Sequence, residues 1–160
     1  MSFRKDSRGS ASVEALFVIA ILLMLFFFVV EMGFLMYDWA VINHAASAAA
    51  VEAAMNGRFS ADIRQAMAEH IKKMTTEGNT MGTDASGTSL PGSVNPGTIY
   101  VYGTDANMNV QRGGTITVGV AYPFRFKTFL FDALGRWLTG EDQVVLKVKM
   151  TAVSEVYFEQ

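Results

Sequence analysis

The sequence predicts an α+β protein in which one long N-terminal helix precedes a second, shorter helix and a small antiparallel β-sheet of about three strands. Three observations lead there. Ala15 to Val30 is apolar without interruption, and an alanine-rich stretch carries the helical composition on to Ala54. Beyond Thr98, three runs alternate apolar and polar residues with the two-residue period of half-covered strands.

The bulk composition sets the frame. The chain has 160 residues, 51% of them hydrophobic and 12% aromatic, with a mean hydropathy of +0.25. That exceeds the apolar share of an ordinary soluble domain and calls for a membrane segment beside a modest core. The net charge of -2 and scattered basic residues leave no footprint for nucleic acid. With no cysteine, neither disulfides nor thiolate metal ligands are available.

At the N-terminus, Arg4, Lys5 and Arg8 outweigh Asp6 just ahead of the apolar run, and the positive flank of a membrane helix stays cytoplasmic. Ala15–Val30 spans about 24 Å of helix, short of a ~30 Å hydrocarbon core. Extension through Tyr37 supplies the length, so the membrane part is set at about residues 15–37, with Glu31 near the outer interface. An ordinary signal anchor explains all of this. A cleaved secretory signal fits poorly, because the first small-residue site, Ala46-Ser47-Ala48, follows the polar Asp38, Asn43 and His44.

A further feature is Glu14, a carboxylate at the start of the apolar run, directly behind the small residues Gly9-Ser10-Ala11-Ser12. Such a group is costly in lipid. The arrangement resembles the prepilin pattern. That resemblance implies that residues 1–9 are a basic leader, that a prepilin peptidase cuts between Gly9 and Ser10, and that Glu14, fifth in the mature chain, registers each subunit against a neighbour's N-terminus. A carboxylate meeting an α-ammonium in low dielectric forms a strong directional contact. A glutamate favoured by the positive end of a helix dipole is the plainer reading.

The run from Arg8 to Leu16, followed by aliphatics and then Glu31-Met32-Gly33, resembles the TadE-like minor pseudopilins of tight-adherence (Flp, type IVb) pilus systems. Towards the C-terminus, Tyr122-Pro123-Phe124, an apolar segment to Leu138 and a last strand ending near Glu155 resemble the same family in order and spacing. Ala15 departs from it, since an aromatic residue often follows the glutamate there. The resemblance implies a pilin-like fold and an assembly role. The expected partners are the cytoplasmic membrane, a prepilin peptidase, other pilin or pseudopilin subunits and the assembly machinery.

The long helix is expected over 10–57, stopped by Asn56-Gly57. Ala46, Ala50 and Ala54 recur every four residues, as do Ala45, Ala49 and Ala53, giving a face small enough for close helix packing. Packing within a filament and packing on the chain's own sheet suit that face equally. Ser60 is placed as the N-cap of a second helix from Ala61 to about Met74, with Ile63, Ala66, Met67, His70, Ile71 and Met74 on its apolar side and a solvated charged side opposite. Residues 58–160 form the exterior domain.

Residues 75–98, rich in Thr, Gly, Ser, Asn and Pro, read as a long flexible loop. Strands are expected at Ile99–Tyr102, Thr115–Tyr122 and Val144–Tyr157. Ile116, Val118, Val120 and Tyr122 share one face of the second. Val144, Leu146, Val148, Met150 and Ala152 share one face of the third, and Pro123 is expected to end the second strand. The aromatic stretch 124–138 has three possible covers: the domain's own core, another subunit, or the membrane surface.

Catalytic chemistry is not expected. His44 and His70 lie in different helices without an acidic partner at ligand spacing, Gly113-Gly114 precedes a strand rather than a helix, and no Gly-x-Ser-x-Gly elbow occurs. No cofactor, metal or small-molecule substrate is predicted. The competing function is that of an uncleaved single-pass membrane protein whose exterior domain scaffolds or binds a partner of an export machine.

Overall fold

In the computed structural model, residues 7–127 and 143–159 are described, with side chains from residue 13 onward. The first helix, α1, runs from Ser7 to Asn56, about 75 Å at 1.5 Å per residue. No proline interrupts it. It stops at Gly57, whose φ of 66° is the left-handed conformation a side chain resists. The Gly57 N–H donates to Ala54 O at 3.3 Å and the Arg58 N–H to Ala53 O at 3.1 Å, the paired bonds of a Schellman motif.

Helix α2 spans Ala61–Met74, and the Ser60 Oγ accepts from the Ile63 N–H at 3.5 Å. Its covered side is Ile63, Arg64, Met67, Ala68 and Ile71. Ala66 and Met74, expected on that side, are exposed, and Arg64, expected in solvent, is buried. The apolar stripe is therefore rotated towards Arg64, because that guanidinium finds partners inside.

A single 3₁₀ turn at Gly78–Thr80 leads to β1 (Gly82–Gly87), followed by β2 (Thr98–Gly103), β3 (Thr115–Phe124) and β4 (Val144–Val153). They form one sheet in the order β1-β2-β3-β4, with β1 parallel to β2 and the other pairs antiparallel. The sheet is thus mixed and four-stranded rather than three-stranded and antiparallel. The extra strand, β1, lies inside the segment read as loop. Gly82-Thr-Asp-Ala-Ser-Gly87 has no apolar alternation to betray it; pairing with β2 and the Arg64 contacts to Ala85 O and Gly87 O hold it.

Two strand ends also differ from expectation. β3 continues through Pro123 to Phe124, paired with Val145 and Val144. Its ladder with β2 ends at Ala121, so at Pro123 the strand has one neighbour only, and there a missing N–H is tolerated. β4 stops at Val153 rather than Tyr157, because the next residues bond elsewhere: the Ser154 Oγ donates to Val110 O at 2.7 Å and the Glu155 N–H to Ala54 O at 3.1 Å. Val144, at the strand's beginning, is exposed.

The helices cover one face of the sheet, α1 against β3 and β4, α2 against β1 and β2. Ile116, Val118, Val120 and Tyr122 are completely buried there, as the alternation predicts. Both alanine rows of α1 are buried, and all of their members but Ala54 join the same core cluster. Alanine lets the helix axis approach the sheet closely while still removing apolar surface from water.

Candidate functional site

The part of the molecule that sets it apart from a soluble α+β domain is the free half of α1. From Val13 to Phe26 every residue is exposed, on all sides of the helix. A helix apolar all round and covered by nothing suits a hydrocarbon environment. The helix is long and apolar enough to cross a membrane once, which fits a single-pass membrane protein.

Glu14 stands at the start of this stretch, exposed, with Val13, Leu16 and Phe17 exposed around it. It is the sole charged residue between Ser10 and Val30. Gly9 and Ser10 are the third and fourth residues of α1, so the peptide bond of the expected cut lies in its first turn. Among the described residues the core begins at Phe34, about 30 Å along the helix from Glu14.

At the other end of the free stretch the domain begins. Glu31 is fully buried, and Phe34 and Leu35 pack against the core together with Phe126. Asp38, also fully buried, accepts from the Thr76 N–H at 2.9 Å and from the Thr76 Oγ1 at 2.8 Å, tying α1 to the end of α2. Tyr122 lies buried nearby. Burial, reinforced by the Asp38 carboxylate, pushes its phenol up to about 12. Phe124 and Phe126 meet edge to face with ring centroids 5.8 Å apart. The remaining aromatic positions of the 124–138 stretch, Phe129, Phe131 and Trp137, lie outside the described residues.

Ala46, Ala50 and Ala54 occupy the chain's own core and do not form an open groove. Of the two uses the sequence left open for this face, the structure takes the intramolecular one.

The fold brings His44 and His70 together, which sequence spacing did not foresee, with ring centroids 6.0 Å apart. They sit at a groove of about 270 Å³ between α1 and α2, lined also by Ala48, Ala49, Glu52, Ile63 and Met67. Among the described residues no group of three or more His, Asp or Glu side chains could hold a metal ion.

Arg64 is the largest omission of the sequence reading. Its guanidinium donates to the backbone carbonyls of Phe59 (3.1 Å), Ala85 (3.0 Å), Gly87 (2.8 Å), Gly103 (3.4 Å) and Thr104, and lies 4.6 Å from the centroid of the Phe59 ring. Burial lowers its pKa, and the charge of Asp105 partly opposes this. Its role is to knit α2, β1 and β2 together. No residue pattern announces a buried arginine whose partners are all backbone.

Residues 9–54 match the family described as TadE-like protein. The resemblance read from Gly9, Glu14 and the apolar helix is borne out over that segment. The match ends at Ala54, so the likeness drawn from Tyr122-Pro123-Phe124 gains no support from it. Comparison with curated proteins and with solved structures returned no match.

Proposed function

We propose that this TadE-like chain is a non-enzymatic structural subunit, a minor pilin or pseudopilin of a type IVb tight-adherence pilus or related secretion filament. The observation that carries the reading is the family match, which begins at Gly9 and takes in both Glu14 and the exposed apolar half of α1. The precursor enters the cytoplasmic membrane with its basic leader inside and the α+β domain outside. A prepilin peptidase then cuts between Gly9 and Ser10.

Glu14 supplies the assembly contact. In the hydrocarbon layer a lone carboxylate is expensive, and the α-ammonium of a neighbouring Ser10 offsets that cost with a charge-assisted hydrogen bond. The exposed position of Glu14, remote from the chain's own core, supports a partner in another subunit.

The test is N-terminal sequencing and intact-mass measurement of the protein from its own host, in membrane and sheared-filament fractions. A chain beginning at Ser10 is expected. A chain retaining Arg4 to Gly9 overturns the processing and favours an uncleaved membrane anchor that scaffolds an export machine.

A further inference from the structure

The exterior domain begins at a level on α1 that can be compared with the thickness of a bilayer. Counted from Val13 at about 1.5 Å per residue, a ~30 Å hydrocarbon layer ends near Gly33; counted from Ala15, it ends near Leu35. Phe34 therefore stands at the boundary between hydrocarbon and headgroups, a layer about 5–8 Å deep. At this level the chain leaves β3. Arg125 and Lys127 follow Phe124, both exposed, and the Lys127 Nζ lies 4.6 Å from the centroid of the Phe34 ring.

The position of Lys127 is that of an amphipathic side chain at an interface, with its ammonium against an aromatic face that itself borders the hydrocarbon. The acidic residues of α1 on either side of Phe34, Glu31 and Asp38, are both fully buried. We infer that Arg125 and Lys127 form a basic rim on which the exterior domain docks against anionic lipid headgroups, fixing its tilt on the membrane from which α1 emerges. The inference rests on the membrane reading of α1 but not on filament assembly. Lipid phosphates, at high density in the plane where Lys127 lies, match it in charge and in depth.

The experiment uses the full chain in nanodiscs of phosphatidylcholine alone or with 30% phosphatidylglycerol. An uncharged acylating reagent is applied, and modification of Lys127 is followed by peptide mass. Lys149 is the control: it is exposed and pairs with Gly119, about 16 Å along the sheet from Phe124.

Anionic lipid is expected to slow acylation of Lys127 roughly fivefold, to leave Lys149 unchanged, and to lose its effect in ~1 M salt, where the screening length falls to about 3 Å. Equal Lys127 rates in the two lipids, with the chain resistant to alkaline extraction, overturn the rim while leaving the membrane helix intact. Protection that persists in high salt also overturns it, because packing on Phe34 then suffices. A chain released by alkaline extraction removes the membrane reading and the rim with it.

Discussion

Asp38 and Thr76 join α1 to the residues following α2 by two hydrogen bonds, one from the Thr76 N–H and one from its hydroxyl, to the two oxygens of a fully buried carboxylate. This clasp lies one turn above Phe34, at the membrane-proximal end of the domain. Asp38→Ala leaves the Thr76 donors without acceptors and is expected to destabilise the domain by about 2–3 kcal/mol. Asp38→Asn, which keeps one acceptor oxygen, should lose less. Thermal unfolding of the detergent-solubilised chain measures both, and an unchanged melting temperature for Asp38→Ala refutes the clasp.

Arg64 holds five carbonyls from three parts of the chain. Arg64→Met keeps the stem and removes every donor, for an expected loss of about 3–5 kcal/mol. Arg64→Lys should rescue little, because one ammonium cannot reproduce the fork. Hydrogen exchange distinguishes this from general loosening: β1 should open first, since Ala85 and Gly87 lose their partner.

Gly57 and Gly33 make a contrasting pair. An added Cβ at Gly57 lies 2.7 Å from the Phe158 ring, on a backbone already at φ 66°, whereas at Gly33 it meets nothing within 4 Å. Gly57→Ala is expected to cost about 1–3 kcal/mol and to expose the tail after Ser154 to proteolysis. Gly33→Ala should be neutral or stabilise the helix by up to about 1 kcal/mol. Limited proteolysis of the two variants side by side checks both.

Tyr122 gives an alkaline signature. Its folded pKa of about 12 lies above the ordinary value of 10, so the fold favours the neutral phenol. The associated stability is complete below pH 10 and is lost as the pH rises towards 12. In an ultraviolet titration of the native chain, one of five tyrosines should ionise near pH 12, and Tyr122→Phe should remove that step. Survival of the step in the variant assigns it elsewhere.

Glu14→Ala tests the assembly contact. Membrane insertion should be unchanged or improved, because a charge is removed from the apolar run, while recovery in sheared filaments should fall to background. Normal incorporation of the variant would count decisively against the proposed role.

The parts of the fold legible in sequence are those fixed by neighbours in the chain. Ser60 caps α2 because its Oγ reaches an N–H three residues on, and the burial of Ile116, Val118, Val120 and Tyr122 follows from strand alternation. Gly9 and Glu14 stood out for the same reason, as local departures from an apolar helix. Arg64 did not, since four of its acceptors lie 21 to 40 residues away. Nor did β1, whose polar sequence carries no period and whose place depends on β2.

By itself the sequence determined a long apolar helix, a second helix with its cap, and three of the four strands, because helix length, capping and side-chain alternation are written within a few residues of one another. Only the tertiary structure decided which use the alanine face takes, which way the α2 stripe turns, and that His44 and His70 meet. Those outcomes depend on which surfaces find complementary partners across the chain. The alanines of α1 join one core with residues of α2 and the sheet, and the guanidinium of Arg64 is stable indoors because five carbonyls, four of them from distant segments, converge on it.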